Sequence, residues 1–177
     1  MVDKTTEVTL RPWKPGDEAA LARIANNRKI WRNMTDRFPH PYTHDDAVAW
    51  IAHSRTEPEN QRHFAVYLGE QIVGGAGFTR LEDLSRRTAE IGYWLGEPFW
   101  GQGIAPRTLS MATEIAFRDF DFERLQATVV EWNDRSCRVL EKVGYELEAR
   151  LARGTFKDGV VCDAWLYARL RPSGAPS

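Results

Sequence analysis

The stretch that decides the fold runs from Glu90 to Phe117 and reads EIGYWLGEPFWGQGIAPRTLSMATEIAF. Its first part alternates as a strand does, and its last part, from Pro106 onward, carries apolar residues at helical spacing. Between the two lies a turn with glycines at positions 101 and 103. Pro106 suits the first turn of a helix, where its missing N–H has no intrahelical partner. The pattern therefore predicts a strand, a glycine-rich turn and a helix.

This glycine-rich turn is a candidate binding site for an anion. The N-terminus of a helix presents unpaired N–H groups and the positive end of the helix dipole, and glycines let this backbone approach a phosphate closely. The spacing of two glycines is weak evidence alone, and a plain strand-to-helix turn is the alternative. The segment GQGIAPRT lacks the lysine of a Walker loop and the three glycines of a dinucleotide-binding fingerprint. Neither nucleotide motif therefore fits.

The segments on either side of the turn predict a mixed sheet. Strand patterns occur in EVTLRPW, HFAVYL, QIVGGAGFTRL, TAEIGYWL, RLQATVVEW and twice in YELEARLARGTFKDGVVCDAWLYARL, and helix patterns occur in PGDEAALARIANN, DDAVAWIAHSR, PRTLSMATEIAFRDF and DRSCRVLEKVGY. The predicted order is strand, two helices, three strands, helix, strand, helix, two strands. An α/β (α+β) fold accommodates it, with one mixed, mostly antiparallel sheet and helices on both faces.

Local signals set the ends of these elements. Asp17 and Thr43 are predicted to cap the first two helices, and Lys157–Gly159 is predicted to form the turn of the last hairpin. Residues 1–171 are predicted to form a single domain. Residues 172–177 are rich in Pro, Gly and Ser and are predicted to be a flexible tail.

The composition argues against several classes of protein. Lys plus Arg is 24 and Asp plus Glu is 25, so a nucleic-acid-binding protein with a broad basic surface is disfavoured. Cys137 and Cys162 are too few for a disulfide framework or a zinc site, and each is predicted to be a reduced, packed thiol. The chain shows no apolar signal core and no run near the ~20 apolar residues of a membrane helix. We therefore expect a cytoplasmic protein that binds neither membrane nor nucleic acid.

Four segments, taken together, resemble the GNAT N-acetyltransferases. WGQGIA (100–105) resembles the family's acyl-CoA-binding signature, Gln/Arg-x-x-Gly-x-Gly/Ala, with Trp100 at the first position. An aromatic residue is usual there in the branch typified by ribosomal-protein N-terminal acetyltransferases (Rim type). VVEWNDRSCRVLEKVGYELE is similar to that branch's Asn-x-x-Ser block, and LRPWKPGDEAALARI and DAWLYARL match the start and end of the family pattern. The resemblance covers nearly the whole chain in the family's order.

The resemblance implies that acetyl-CoA is the acyl donor and that no metal is needed. Two parallel strands, EIGYWL and RLQATVVEW, are expected to splay apart and admit the pantetheine, while the pyrophosphate rests on the turn. Gly92 either begins the splay as a bulge or serves close packing. The implied cofactor contacts are Trp94, Leu95, Trp100, Gly101, Gln102, Gly103, Ile104, Ala105, Arg107, Asn133, Ser136 and Lys142.

Several of these contacts have a structural alternative. Asn133 also suits a helix cap, which is compatible with cofactor binding. Lys142 and Arg138 either reach the adenosine phosphates or are solvated helix charges. Arg107 opposes the helix dipole unless an anion offsets it, so it either assists phosphate binding or makes a surface pair.

Direct acetyl transfer needs a base for the amine, donors for the oxyanion and an acid for the thiolate. Glu90 is the candidate base, and pairing with an arginine across the sheet is its alternative. Ser136 is the candidate acid, and backbone capping is its alternative. A Rim-type enzyme has been argued to use a glutamate where this chain has Thr155, so a bound water and Asp163 remain alternative bases.

The acceptor side is weakly marked. Phe38 and Tyr42, with His40, are predicted to line the acceptor cleft, and His63 is predicted to be an exposed polar residue at a strand start. The expected substrate is a primary amine of a protein N-terminus or a small molecule. A non-catalytic acyl-CoA-binding protein of the same fold is the alternative function. Many relatives dimerise, so a homodimer is also expected, although the sequence shows no partner surface.

Overall fold

A computed structural model of the protein describes residues 7–56 and 59–173. Residues 174–177, which make up most of the predicted tail, lie outside the described residues. The strands are β1 (Val8–Pro12), β2 (Gln61–Leu68), β3 (Gln71–Arg80), β4 (Thr88–Leu95), β5 (Arg124–Val130), β6 (Glu146–Lys157) and β7 (Val160–Leu170). The helices are α1 (Glu18–Ala25), α2 (Arg28–Trp31), α3 (His44–Arg55), α4 (Ile104–Asp119) and α5 (Asp134–Lys142).

The seven strands form one sheet in the order β1-β2-β3-β4-β5-β7-β6. Every neighbouring pair is antiparallel except β4 and β5, which run parallel. The predicted mixed, mostly antiparallel sheet with one parallel pair is confirmed. None of the helices in the described ranges is long and apolar enough to cross a membrane.

The sheet has a hydrophobic core on each face. Alternation along β2 shows this directly, because Phe64 and Val66 belong to one core and Ala65 and Tyr67 to the other. The first core lies under α4 and α5, and the second lies under α1 and α3. The prediction of helices on both faces is therefore confirmed.

The structure confirms some local predictions, contradicts one and adds a helix. The short helix α2 was not predicted, and Asn27 caps it by accepting a 2.8 Å hydrogen bond from the N–H of Lys29. Asp17 precedes α1, but its carboxylate accepts a 3.1 Å bond from the N–H of Lys14 instead of capping that helix. The predicted cap at Thr43, in contrast, is confirmed, and the structure adds reciprocal bonds with Asp46 that complete a capping box. Both cysteines are free thiols, as expected.

The prediction that His63 is an exposed residue is wrong. Its imidazole is half-buried against the Trp50 ring, with ring centroids 4.9 Å apart, and the His53 ring lies 6.3 Å away. Burial, with a smaller contribution from His53, lowers the pKa of His63 from 6.5 to about 4. The error arises because alternation along β2 does not show that α3 covers this strand's first residues.

This burial predicts a loss of stability in mild acid. The unfolded chain protonates His63 below pH 6.5, whereas the folded protein resists protonation until about pH 4. The stabilisation is therefore complete above pH 6.5 and falls as the pH decreases toward 4, by up to about 3 kcal/mol. Urea unfolding at pH 7 and pH 5 should show a smaller pH effect in His63→Gln than in the wild type. His44→Gln, at an exposed histidine, is the control and should keep the wild-type pH effect; an equal effect in all three proteins would contradict the prediction.

Candidate active site

The parallel pairing of β4 and β5 stops part-way along both strands. Three pairs form, from Thr88 with Arg124 to Glu90 with Gln126, although β4 continues to Leu95 and β5 to Val130. On its other side β4 keeps an uninterrupted register with β3, so Gly92 is not a bulge in that pairing. A Cβ added at Gly92 would meet nothing within 4 Å, which also contradicts the close-packing alternative. The predicted splay is present, and Gly92 lies within it.

The glycine turn leads from the splayed end of β4 into α4. Gly101 and Gly103 have φ values of 76° and 74°, in the left-handed region that favours glycine. A Cβ at either position would meet nothing within 4 Å, so the turn needs glycine for its conformation and its outer side is open. Gly103 is the N-cap of α4 and has no side chain to accept from the first-turn N–H groups. The backbone at 101–105 is therefore suited to an anion.

The side chains of Trp100 and Gln102 brace this turn from within. The indole N–H of Trp100 donates to the carbonyl of Leu95 at 2.8 Å, and the side-chain amide of Gln102 donates to the carbonyl of Pro98 at 2.8 Å. The guanidinium of Arg135, from the first turn of α5, lies 5.3 Å from the centre of the Trp100 ring. Arg135 thus adds a positive charge beside the turn.

The start of α5 faces the splay. The side-chain oxygen of Asn133 accepts a 3.3 Å bond from the N–H of Ser136, so the predicted cap is confirmed. The hydroxyl of Ser136 lies 3.2 Å from the hydroxyl of Tyr93, which comes from β4. This hydrogen bond joins the first turn of α5 to the splayed part of β4.

The three other cations differ in position. Arg107 is exposed in the first turn of α4, one turn beyond Gly103. Lys142 is exposed in the last turn of α5, about 12 Å along the helix from Asp134. Arg138 is exposed between them. The structure brings Arg107 to the turn but places Lys142 at the opposite end of α5.

Four predicted cofactor residues turn their side chains into the cores. Leu95 and Ile104 are buried in the core under α4 and α5, and Ala105 packs beside them. Trp94 packs against the core under α1 and α3, on the other face of the sheet. These residues therefore offer a bound cofactor their backbone more than their side chains.

Glu90 lies at the last residue pair before the strands separate. One carboxylate oxygen accepts a 3.1 Å bond from the backbone N–H of Thr128, and the other accepts a 3.0 Å bond from the side-chain amide of Gln126. Arg124 instead forms its ion pair with Glu148, so the alternative in which Glu90 pairs with an arginine is absent from the ion pairs of the described residues. The carboxylate spans the beginning of the splay and satisfies an N–H of β5 that β4 no longer reaches.

Of the alternative bases, Asp163 does not share a face with Glu90. Strand registers place Glu90, Gln126 and Ala168 on one face of the sheet, and period-2 alternation puts Asp163 on the other. Its carboxylate is bound by the guanidinium of Arg150 and by the N–H of Arg153. These donors lower the pKa of Asp163, since they stabilise the carboxylate. Thr155 pairs with Cys162 and so lies on the Glu90 face.

The predicted acceptor residues are less open than expected. Phe38 is half-buried, with its ring 5.4 Å from Trp94 and 4.9 Å from Tyr42. Tyr42 is only 6% exposed, so its side chain belongs to the core and not to an open cleft wall. His40 is exposed and lies against Trp31. Of the two predicted aromatic residues, Phe38 is thus the more accessible to a bound acceptor.

A rim of long-range contacts connects α2 and its following loop to the tip of the β6–β7 hairpin. The ammonium of Lys157 donates to Asp36 at 2.9 Å and lies 4.1 Å from the centre of the Trp31 ring. The guanidinium of Arg28 binds both carboxylate oxygens of Asp158 at 2.8 and 2.7 Å. We call residues 28–38 with residues 157–158 the acceptor-side rim.

The rim also reaches the end of β5. The indole N–H of Trp132 donates to Asn33 at 3.1 Å, and the guanidinium of Arg32 lies 4.5 Å from the centre of the Trp132 ring. The loop between α2 and α3 is therefore attached both to the hairpin tip and to the segment that precedes α5.

This geometry agrees with the comparisons with known proteins. A sequence profile described as "Acetyltransferase (GNAT) domain" matches residues 7–146, more than half of the chain. The protein belongs to the GNAT family. Its relatives include the SPbeta prophage-derived uncharacterized N-acetyltransferase YokL of Bacillus subtilis, 27% identical over 93% of this chain and 90% of that one.

Two further similar proteins support the resemblance of this GNAT protein to the Rim-type branch. The ribosomal-protein-serine acetyltransferase of Escherichia coli is 32% identical over 60% of this chain and 59% of that one. A solved structure of Mycobacterium smegmatis RimJ in complex with CoA-disulfide superposes with a TM-score of 0.83 at 28% identity, over 94% of this chain and 83% of that one.

Several residues at this GNAT site were missed by the sequence reasoning. Tyr93 had a usable signal, since period-2 alternation puts it on the opposite face of β4 from Glu90. Arg135 also had one, because it follows the predicted cap Asn133 by two residues. The contacts of Lys157 and Trp132 with the loop after α2 had none, because each joins residues about a hundred or more positions apart.

The open turn predicts a specific effect on CoA binding. Gly103→Ala places a Cβ at a φ of 74°, which costs about 1 kcal/mol of stability and reshapes the turn that would hold the pyrophosphate. We expect CoA affinity, measured by calorimetry, to fall at least about tenfold for the loss of a charge-assisted hydrogen bond.

Gly159→Ala is the matched control for this variant. Its φ is 77° and its Cβ would also meet nothing within 4 Å, but it lies in the β6–β7 turn. It should cost similar stability and leave CoA affinity unchanged. Equal affinity losses in both variants would contradict the assignment of the turn.

Proposed function

We propose that the protein transfers the acetyl group of acetyl-CoA directly to a primary amine. The observation that carries this proposal is the separation of β4 from β5 beyond Glu90, directly before the open glycine turn. A parallel pair that opens inside a sheet leaves backbone groups without strand partners. An extended, amide-bearing ligand such as pantetheine can satisfy them as an added strand does.

The residues present fit this cofactor. The backbone N–H groups of 101–105 would hold the pyrophosphate at the N-terminus of α4, where the helix dipole favours an anion. Arg135 and Arg107 would add positive charge for the phosphates. The edge of β4 from Gly92 to Leu95 would bind pantetheine. When bound, acetyl-CoA supplies the thioester that is attacked.

The chain's own groups match the needs of the transfer. Glu90 lies beside the splay and would accept the proton of the amine, directly or through water. Ser136 lies across the splay near the start of α5 and would donate to the thiolate that leaves. Amine and thioester become amide and thiol, so no covalent intermediate on the protein is required.

The hydrogen bonds of Glu90 favour a second candidate function. Both carboxylate oxygens already accept bonds from Thr128 and Gln126, so Glu90 also serves as a structural clamp of the splay. A protein that used Glu90 only in this way would bind acyl-CoA without turnover. This non-catalytic, acyl-CoA-sensing function is the alternative to transfer.

The acceptor class rests on similarity alone. One proposed acceptor is a protein N-terminus, which is suggested by the similarity to the ribosomal-protein-serine acetyltransferase. The other proposed acceptor is a small-molecule amine. A homodimer and a cytoplasmic location remain predictions.

Two measurements test the proposed function. Acetyl-CoA should raise the melting temperature, because ligand at about 100 times its Kd stabilises the folded state by about 2.7 kcal/mol. A panel of peptide N-termini and small amines should then release CoA thiol with at least one acceptor. Binding without release for any amine would favour the sensing function, and no binding would contradict both functions.

Replacement of Glu90 tests its role as the base. Glu90→Gln keeps an acceptor for Thr128 but cannot take a proton, so kcat/KM should fall about 100-fold near neutral pH. CoA affinity should change little. The measurement is thiol release from pH 6 to 9.

Glu148→Gln is the control for that experiment. Glu148 is an acid paired with Arg124 on β5. The Glu148→Gln variant should keep the wild-type pH profile of turnover. Turnover in Glu90→Gln that equals the wild type at every pH would exclude Glu90 as the base.

A further inference from the structure

Tyr93 of β4 forms a hydrogen bond with a residue of α5 inside the candidate site. Among the hydrogen bonds of the described residues, it is the one there that joins two hydroxyl groups. Its hydroxyl oxygen lies 3.2 Å from that of Ser136. Tyr93 is on the opposite face of β4 from Glu90, because side chains alternate along a strand. The pair therefore lies across the splay from the candidate base.

Both members of this pair are held in place. The ring of Tyr93 packs against the core under α4 and α5. The N–H of Ser136 is held by the side chain and the carbonyl of Asn133, at 3.3 and 3.0 Å. The hydroxyl proton of Ser136 can rotate, and a hydrogen bond with Tyr93 would set its direction.

The chemistry of the two hydroxyls decides which one donates. A phenol is more acidic than an aliphatic alcohol and is therefore the stronger donor. Burial raises the pKa of Tyr93 to about 12, so this phenol keeps its proton at neutral pH. When Tyr93 donates to Ser136, the serine proton must point away from Tyr93, and a hydroxyl that accepts a bond donates more strongly to its next partner.

We propose that Tyr93 is a positioning residue that donates to the Ser136 hydroxyl and so directs the Ser136 proton toward the sulfur of the bound thioester. This inference rests on the proposed function. As the tetrahedral intermediate collapses, the carbon–sulfur bond breaks and its electron pair moves to sulfur. The Ser136 hydroxyl donates a hydrogen bond to that sulfur, the amine proton leaves toward Glu90, and the thiolate afterwards takes a proton from water.

Kinetics of Tyr93→Phe test the proposal first. The variant keeps the packed ring and loses only the hydroxyl, so kcat should fall about tenfold, the loss expected for one hydrogen bond, while the KM for acetyl-CoA stays within about twofold. In a Ser136→Ala background the same replacement should have no further effect on kcat, because the hydroxyl it orients is absent.

Tyr145→Phe is the matched control. The Tyr145 hydroxyl makes a 2.7 Å bond to the Thr113 hydroxyl in the same core, and Tyr145 is 2% exposed. Its loss should lower the melting temperature at least as much as Tyr93→Phe does and leave kcat unchanged. A similar fall of kcat in both variants would show that Tyr93 acts only through stability and would overturn the inference.

A binding measurement tests the same contact without turnover. Wild-type protein should bind CoA more tightly than desulfo-CoA at pH 9, where more of the thiol is ionised. This preference should shrink in Tyr93→Phe and in Ser136→Ala but not in Tyr145→Phe. An unchanged preference in Tyr93→Phe, or additive kcat losses in the double variant, would overturn the inference.

The experiments distinguish a failure of the proposed function from a failure of the inference about Tyr93. If the wild type acetylates amines and Tyr93→Phe behaves as the wild type, the proposed function stands and the inference falls. If the wild type binds CoA but no amine is acetylated, the transfer function falls, and the desulfo-CoA comparison still decides whether Tyr93 directs Ser136 toward sulfur. If neither CoA nor desulfo-CoA binds, both are overturned.

Discussion

The structure depends on a parallel strand pair that stays together for only three residue pairs. Beyond Glu90 and Gln126, β4 and β5 each remain extended, but their facing N–H and C=O groups no longer meet. Buried backbone groups without partners are costly, so such a gap persists only where other groups satisfy them. Glu90 supplies one acceptor, for the N–H of Thr128. In the proposed function, the amides of pantetheine would satisfy the groups that Glu90 leaves unpaired in the gap.

The two faces of β4 give this gap two chemically different sides. Glu90 and Trp94 point to the face covered by α1 and α3, and Tyr93 points to the face covered by α4 and α5. The period of two along a strand therefore separates a proton acceptor from a hydroxyl donor by the thickness of the sheet. An acetyl group held within the gap would be reached by an amine from the first face, while its sulfur lies toward Ser136 on the second. In the proposed transfer, a single strand would therefore position both the base and the hydroxyl donor.

The glycine turn, the helix after it and the cap at Asn133 could be predicted from the sequence because they are encoded locally. Strand, glycine turn and helix follow one another, and the cap at Asn133 is a short-range signal, so each part carries its own conformational rule. Predictions failed where the burial of a residue or a contact with a different segment decides the structure. Alternation along β2 could not show that α3 buries His63. The residue types near Asp17 could not show that its carboxylate would accept a hydrogen bond from the backbone N–H of Lys14. Gly92 was expected to bulge or to pack closely, and it does neither.

The contacts of the acceptor-side rim could not be predicted because they join distant segments of the chain. The ammonium of Lys157, whose side chain is 4% exposed, is satisfied by Asp36 and the Trp31 ring, more than a hundred residues away in the chain. The family profile ends at residue 146, before most of the β6–β7 hairpin that carries this half of the rim. Charged and aromatic contacts of this kind can be exchanged in pairs without disturbing the turn or the splay. The glycine turn and the helix cap follow rules carried by neighbouring residues, so family membership is readable from this chain, whereas the rim depends on residue pairs that only the folded chain brings together.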